Sequence, residues 1–422
     1  MKHTFRSLRH RNYRLFFTSQ AVSFTGTWLQ LIAQTLLVYD LTGSGTALGV
    51  LIGVQFAPTL LFGAWAGVVV DRHDKRRIMQ FTSSAMLVAA LALGVLVLSG
   101  HVTVGLVYVL AAVLGLANSL DNPARRSLVN DLVPKEELTN AVALNSTLAT
   151  SARLVGPALA GVLVATVGIG WCFVLNGLSF LAPIIAVRMM DAGALRTTAP
   201  LAPEKGQLRA GLRYAWSVDD VRVPLLMVAV VSMLAFNSQV TFPLLAEREL
   251  GGGDSAFAWL MTSASVGMIL GSLWMARRRT VDTALLGRSA IVFGGGTALL
   301  AVAPNLPFAL AAAFCYGLAA VGINSGANTV IQLAAEPTMR GRVLALYTVV
   351  FLGATPIGGP VIGAIAEHVG TRVAIGVGAV ASVLTGVSAL AFVRRRRGLA
   401  GHLRAPVASL VALGADGSSA AA

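Results

Sequence analysis

The sequence predicts an all-α polytopic membrane protein with twelve transmembrane helices, arranged as two six-helix bundles related by a parallel pseudo-repeat. The first observation is composition, because 56% of the 422 residues are hydrophobic and only 12% are charged. A soluble domain cannot cover that much apolar surface, whereas a bilayer accepts it if each segment satisfies its own backbone as a helix. The second observation is the placement of basic residues. The third is a repeat of glycine and proline positions between the two halves.

Twelve apolar segments are long enough to cross a hydrocarbon core, which takes about 20 helical residues. Very short turns separate the fifth span from the sixth and the ninth from the tenth. In chain order, the predicted spans are 13–38, 46–70, 78–99, 104–125, 138–167, 170–188, 221–246, 255–276, 284–303, 306–333, 341–366 and 371–393.

The basic residues support both the number of spans and their orientation. With the amino terminus inside, 29 of the 32 Lys and Arg residues fall in cytoplasmic segments. The outer loops keep only Arg248 and Arg372, and Arg153 falls inside a span. Such a bias marks the cytoplasmic side. We therefore expect a multi-pass protein of the cell inner (plasma) membrane with both termini cytoplasmic. The bilayer explains the net charge of +14, so no nucleic-acid partner is expected.

The polar segments divide the chain into four parts. Residues 1–188 form an N-terminal six-helix bundle, and residues 221–398 form a C-terminal one. Residues 189–220, which are polar and contain prolines, are expected to be a cytoplasmic linker, with an amphipathic surface helix from Gln207 to Trp216. The Ala/Gly/Ser-rich residues 399–422 are expected to be a disordered cytoplasmic tail.

Short patterns in the first half recur in the second half. A Gly-Leu-Ala run at Gly115 recurs at Gly317, and a Gly-Pro pair at Gly156 recurs at Gly359. Both repeats lie about 200 residues apart and keep the same order along the chain. Two halves in the same orientation predict a substrate site between them, near the middle of the membrane.

The sharpest motif follows the second span. Glycines at 63 and 67 lead to Asp71-Arg72, and then to a basic run that includes Arg76. Glycines four residues apart allow close helix packing. The pattern resembles the signature between the second and third helices of the major facilitator superfamily, although Asp74 replaces its usual glycine. The resemblance implies that Gly67, Asp71, Arg72 and Arg76, together with Asp121, form a cytoplasmic latch between the halves. The alternative is an ordinary basic loop with an incidental acid.

A second motif lies in the fifth span, where Arg153 precedes Gly156-Pro157 and Gly161. It is similar to the Gly-Pro motif of exporters in this superfamily, with Ala160 replacing one glycine. The eleventh span repeats it with Gly359, Pro360 and Gly363. The resemblance implies export rather than import. A packing kink without mechanistic role is the alternative.

The end of the fourth span, from Asp121 to Asn145, resembles the branch of the superfamily that contains enterobactin exporters and macrolide efflux proteins. This resemblance covers residues 5 to about 395. The arginine that many antiporters carry midway along the fourth helix is missing from 107–115. Because no carboxylate falls in the middle of a span, proton coupling is expected to use boundary carboxylates, with Asp121 and Asp71 as the first candidates.

Polar side chains inside the spans are candidates for a central cavity. A charge as deep as Arg153 usually faces a cavity or a partner. Hydrogen bonding between helices is an equally good explanation for each of the amides. Few charges in the cavity would suit amphipathic or cationic organic molecules. The candidates are Gln30, Gln34, Gln55, Asn145, Asn237, Gln239, Asn324 and Asn328, with Phe24, Trp28, Phe56 and Phe236 as apolar wall.

The favoured function is a secondary active efflux transporter that exports lipophilic or cationic drugs, or a secreted metabolite such as a siderophore, by proton antiport. Nutrient uptake, a non-transporting membrane sensor and a membrane-embedded enzyme are the alternatives. The histidines are scattered and no phosphate-binding loop is present, so no enzyme activity, cofactor or metal is expected. The expected partners are a small-molecule substrate, protons and the lipid bilayer, and the expected state is a monomer.

Overall fold

The computed structural model describes residues 5–195, 207–278, 280–336 and 339–415. Within these ranges all regular secondary structure is helical, and it includes a 3-10 turn at Arg6–Arg9 and a π turn at Leu245–Glu249. The α-helices are α1 Arg11–Thr42, α2 Gly45–Arg72, α3 Lys75–Leu98, α4 Val104–Leu132, α5 Lys135–Val167, α6 Ile169–Ser179, α7 Leu181–Met189, α8 Gln207–Ser217, α9 Asp219–Leu234, α10 Ser238–Leu244, α11 Gly253–Ala276, α12 Thr283–Ala301, α13 Leu306–Ala334, α14 Arg340–His368 and α15 Thr371–Ala415.

Twelve stretches of these helices are long and apolar enough to cross a membrane, which confirms the predicted all-α fold class. The sixth stretch joins α6 and α7 across Phe180, and the seventh joins α9, α10 and the π turn. The interruption between α9 and α10 falls at 235–237, where the side-chain amide of Asn237 donates to the carbonyl of Met233 at 2.8 Å. A side chain thus replaces a helical hydrogen bond, and such breaks are tolerated inside a membrane where they line a cavity.

Local chemistry explains where several helices begin. A side-chain oxygen of the residue before the helix accepts a backbone N–H of the first turn in five cases. These residues are Ser44, Asp74, Thr103, Asp282 and Asn305. Asn305 precedes the tenth span at one of the two very short loops predicted from the sequence, so its cap fixes the point at which the chain re-enters the bundle there.

The linker and the tail differ in part from the sequence expectation. Helix α8 lies within the predicted linker, and its Tyr214 hydroxyl accepts the backbone N–H of Glu336 at 3.0 Å. Residues 196–206 of the linker lie outside the described residues. Helix α15 continues to Ala415, beyond the predicted end of the span at 393 and into the segment expected to be a disordered tail. That segment is rich in Ala and Leu, which are good helix formers, and residues 416–422 lie outside the described residues.

The two halves pack against each other chiefly through α2 with α14 and α5 with α11. Glycines allow the backbones of α2 and α14 to touch. A Cβ added to Gly49 would overlap the carbonyl oxygen of Gly359, and one added to Gly363 would overlap that of Gly45. Close approach of this kind is the usual role of small residues in membrane helix packing.

The halves meet at one end of the molecule and separate at the other. We call the end where α1 begins the terminal face, and the end where α1 finishes the opposite face. Along α2, Gly45, Gly49 and Gly53 contact α14 near the opposite face. Gly63 and Gly67 continue the same stripe toward the terminal face, yet a Cβ on either would meet nothing within 4 Å. The structure is therefore closed at the opposite face and open at the terminal face.

Candidate functional site

A cavity of about 260 Å³ lies between the two halves. The first half contributes residues of α1, α2 and α5, and the second half contributes α9 to α11, α13 and α14. The cavity is lined by Trp28, Ile52, Phe56, Arg153, Ser232, Phe236, Asn237, Ser238, Gln239, Val240, Met261, Ala264, Ser265, Met268, Tyr316, Ala320, Asn324, Phe351, Leu352 and Thr355.

Aromatic side chains form much of the apolar wall. Phe236 lies with its ring centroid 4.9 Å from that of Phe293 and 6.3 Å from that of Phe351. Three of the four aromatic residues predicted to form the wall line the cavity, namely Trp28, Phe56 and Phe236. This cluster gives the cavity a rigid, apolar surface on which the body of an organic molecule can pack.

Three of the predicted polar residues reach the cavity. Asn237 and Gln239 do so because α9 ends before them, and Asn324 projects from α13. The side-chain Oδ1 atoms of Asn237 and Asn324 are buried and have no hydrogen-bond partner among the described residues. A ligand donor that reaches either atom would meet an acceptor with no competing partner among the described residues.

The other five predicted cavity amides do not line it. Gln30 accepts a hydrogen bond from Asn176, so it links α1 to α6 within the first half. Gln34 is also buried within the first half, whereas Gln55 and Asn145 are half-buried. Asn328 accepts from Gln332 on its own helix. The helical periodicity of the sequence alone could not separate amides that bond between helices from amides that line the cavity, because the rotation of each helix depends on its neighbours.

Arg153 carries the single charged side chain among the residues that line this cavity. Its guanidinium lies over the ring of Trp28, 4.9 Å from the centroid, and its Nη1 is 3.9 Å from the sulfur of Met268. Its Nε is buried without a partner, and no carboxylate among the described residues forms an ion pair with it. The hydroxyl of Ser265 donates to the Arg153 carbonyl at 3.0 Å, across the two halves.

Asp121 lies in a buried charged cluster near the terminal face. Its carboxylate pairs with Arg125 one turn later on α4, and it accepts the hydroxyl of Thr82 at 2.9 Å. The Arg125 guanidinium lies 4.6 Å from the ring centroid of Phe24 on α1. Asp121 is thus satisfied within the first half, with no partner in the second half among the described residues.

The other latch candidates also make their contacts within the first half. Arg76 pairs with Asp74 at 3.2 Å rather than with Asp71, and Asp71 and Arg72 are exposed. Burial alone would raise the pKa of Asp74, but hydrogen bonds from the Arg76 side chain and backbone and the nearby Arg76 and Arg77 charges lower it overall. The terminal face is open, and none of these side chains contacts the second half within the described part of the chain.

The two Gly-Pro motifs lie where helices approach closely. A Cβ on Gly156 would overlap Trp28, and one on Gly161 would lie 2.7 Å from the Cβ of Ala258 in the other half. The second copy, Gly359-Pro360 with Gly363, contacts α2 at Gly49 and Gly45. Pro157 and Pro360 lie inside their helices. Both copies therefore belong to contacts that surround the cavity on its closed side.

A polar seal at the opposite face was missed by sequence reasoning. The Glu367 carboxylate accepts the backbone N–H of Gly45 at 2.6 Å and the guanidinium of Arg248 at 3.0 Å. Arg248 also donates to the carbonyl of Gly43. These bonds join the second half to the loop between α1 and α2. The rarity of basic residues in the outer loops could have indicated this pair, because Arg248 is one of only two there.

No group of three or more His, Cys, Asp or Glu residues in the described part of the chain is placed to hold a metal ion. The arrangement is a cavity with an apolar wall, one cation and unpartnered acceptors, open toward one end of the bundle. Such an arrangement can bind an organic molecule and release it when the halves move.

Comparisons with known proteins give relatives that are named as transporters or efflux proteins. The model of a family described as transmembrane secretion effectors matches residues 2–404. The staphyloferrin A transporter of Staphylococcus aureus is 23% identical over 62% of this chain and 66% of its own length. The multidrug efflux pump Tap of Mycolicibacterium fortuitum is 26% identical over 88% and 93%. Macrolide efflux protein A of Streptococcus pyogenes is 24% identical over 83% and 89%.

Solved structures show the same fold. A bacterial homologue of the human lysosomal transporter Spinster, in an inward-facing and unoccupied conformation, superposes with a TM-score of 0.68 and 17% identity over 91% of this chain and 96% of that one. A POT family transporter in complex with a thioalcohol-conjugated peptide gives a TM-score of 0.73 and 10% identity over 91% and 96%.

Proposed function

Because this chain belongs to the transmembrane secretion effector family of major facilitator transporters, we propose that it exports an organic small molecule across the plasma membrane in exchange for protons. The observation that carries the proposal is the cavity between the halves, which is sealed at the opposite face and open toward the terminal face. Such a site can alternate between the two sides when one half rocks against the other.

The orientation of the chain in the membrane indicates which step of transport the conformation open at the terminal face would serve. Basic residues concentrate at the terminal face, which the charge bias assigns to the cytoplasm. A cavity open to the cytoplasm is the state that an exporter loads. Relatives named for multidrug efflux, macrolide efflux and staphyloferrin A transport support export of a drug-like molecule or a siderophore. If the same fold took up a nutrient instead, this face would be the one at which the substrate is released into the cytoplasm.

Proton coupling would act at a distance from the substrate. No carboxylate lines the cavity, whereas Asp121 is buried beside Arg125 toward the terminal face. Helix α1 connects the two places, because Arg125 lies over Phe24 and Arg153 lies over Trp28, one turn further along. Protonation of Asp121 would release Arg125 from its carboxylate and alter how α1 packs beside the cavity.

The test uses purified protein in liposomes that contain a pH-sensitive dye. Lipophilic cations, macrolides and catecholate siderophores are added in turn, and proton movement is recorded. We expect at least one compound to cause proton flux that needs the protein, and Asp121→Asn to abolish most of it. Asp71→Asn tests the second candidate carboxylate, and Asp74→Asn is a matched control in the same loop.

Two results would count against the proposal. Substrate movement without proton flux would leave a transporter but remove the antiport. No movement of any compound, by protein shown to be folded, would favour a non-transporting role.

A further inference from the structure

The geometry points to an organic anion as the substrate: we infer that the cavity binds an amphipathic carboxylate, with its negative group on Arg153. This inference rests on the proposed function, since it names the class of molecule that the same site would take. It departs from the sequence expectation of a cationic substrate. The reason lies in which residues the fold brings to the cavity wall and which it keeps away.

Arg153 is a half-buried cation that forms an ion pair with no carboxylate in the described part of the chain. Within the described part of the chain, the carboxylates that form ion pairs bond to other cations, as Asp121 does to Arg125 and Glu367 does to Arg248. The contacts of the Arg153 guanidinium are the face of Trp28 and the sulfur of Met268, which are weak partners. An uncompensated charge away from water is costly, so an anion that pairs with it gains binding energy without displacing a protein carboxylate.

The guanidinium favours a carboxylate in particular. Its planar fork of donors matches the two oxygens of a carboxylate, and the resulting bonds are stronger than those between neutral groups. The Nε of Arg153 is buried and has no partner, so at least one donor of the fork is unused. A substrate with a fixed positive charge would instead meet a like charge with no carboxylate in the lining to offset it.

Acceptor atoms elsewhere in the lining define a second feature of the ligand. Ser232 Oγ, Asn237 Oδ1 and Asn324 Oδ1 are buried without a hydrogen-bond partner in the described part of the chain. The amide nitrogen of Asn237 donates to the Met233 carbonyl. The other end of the amide is therefore the carbonyl oxygen Oδ1, which can only accept. A ligand with amide N–H or hydroxyl donors would satisfy these oxygens. The aromatic wall at Phe56, Phe236 and Phe351 would hold its apolar body.

A purely structural role for Arg153 is the competing explanation. The residue joins α5 to α11 through its carbonyl, which accepts from Ser265, and through Met268. The first of these bonds uses the backbone and survives any substitution of the side chain. A structural role therefore predicts equal losses for all ligands in a side-chain variant, whereas an anion site predicts a loss confined to the anion.

The experiment measures equilibrium binding of three dansyl probes to the purified full-length protein by fluorescence. Dansyl-phenylalanine carries a carboxylate and an N–H donor, its methyl ester is neutral, and dansylcadaverine is cationic. We expect the wild type to bind the carboxylate about tenfold more tightly than either of the other two. Arg153→Met should lower carboxylate affinity to that of the ester and leave ester affinity unchanged.

Two variants control the interpretation. Arg153→Lys keeps the charge without the planar fork, so it should retain part of the preference. Arg126→Met removes a positive charge from an exposed position on α4 outside the cavity, and it should leave all three affinities unchanged. Failure of the carboxylate to bind best, or a preference that survives Arg153→Met, would overturn the inference.

The same probes separate this inference from the proposed function. Arg153-dependent binding of the carboxylate without transport in liposomes would keep the anion site and contradict export. Transport of cations or macrolides that Arg153→Met does not affect would keep export and contradict the anion site.

Discussion

At the scale of single residues, Arg153 and Asp121 are both charges that a membrane makes costly, but their surroundings differ. Asp121 is neutralised by Arg125 and hydrogen-bonded by Thr82. Arg153 forms an ion pair with no carboxylate among the described residues, and it lines the cavity. A satisfied buried pair can serve as an internal switch or as structure, whereas an unsatisfied cation beside a cavity is more consistent with ligand binding.

Removing the Asp121 charge should destabilise the protein through Arg125. Asp121→Asn leaves a buried guanidinium without its carboxylate, and breaking such a pair costs about 3–5 kcal/mol. We expect a lower melting temperature for the purified variant. The double variant Asp121→Asn/Arg125→Met should recover much of the loss, because no charge is left unpaired. Equal melting temperatures for the single variant and the wild type would show that the pair is not a stabilising element.

At the scale of elements, the contact between α2 and α14 decides which face is closed. The glycine stripe of α2 is packed near the opposite face and free near the terminal face. Helices that touch through glycine backbones can separate without leaving deep side-chain holes behind. The stripe therefore provides a contact that can form at one end while it is released at the other.

A single methyl group on this stripe should shift the balance between states. In Gly49→Ala, the new Cβ would overlap the carbonyl of Gly359, and such overpacking costs about 1–3 kcal/mol. We expect the population closed at the opposite face to fall by roughly 5–150-fold relative to the open one. With Cys172 and Cys315 replaced by alanine, accessibility of a cysteine placed at Ala366, which is buried beside Gly45 in this contact, to a membrane-impermeant thiol reagent measures this change. Gly376→Ala is the control, because a Cβ there meets nothing within 4 Å; equal labelling of both variants would contradict the account.

Much of this element-scale picture follows from the sequence, and the exceptions have physical causes. Hydropathy and basic residues predict twelve spans, because each helix must satisfy its backbone alone. Helix rotation is a property of tertiary packing, so the sequence could not tell that Gln30 bonds Asn176 while Asn237 faces the cavity. The seal at Glu367 was missed because its partners Gly45 and Arg248 are more than 100 residues away in the chain.

At the scale of the whole molecule, the two ends carry different kinds of contact. The opposite face is closed by backbone contacts of glycines and by the bonds of Glu367 to Gly45 and Arg248. The terminal face keeps its charged pairs, such as Lys75 with Asp131, within one half. The proposed export requires that these roles exchange, and we propose that Asp71, Arg72 and Arg76 engage the second half when the opposite face opens.

The measurement that tests this central claim most directly is a pair of electron–electron distances in protein reconstituted in lipid nanodiscs. With Cys172 and Cys315 replaced by alanine, spin labels at Leu41 and Val369 report the opposite face. Labels at His73 and Arg277 report the terminal face. We expect the wild type to be closed at the opposite face and open at the terminal face. Glu367→Gln, which weakens the seal, should lengthen the first distance and shorten the second together. Distances that change independently, or a Glu367→Gln protein identical to the wild type, would contradict alternating access built on this seal.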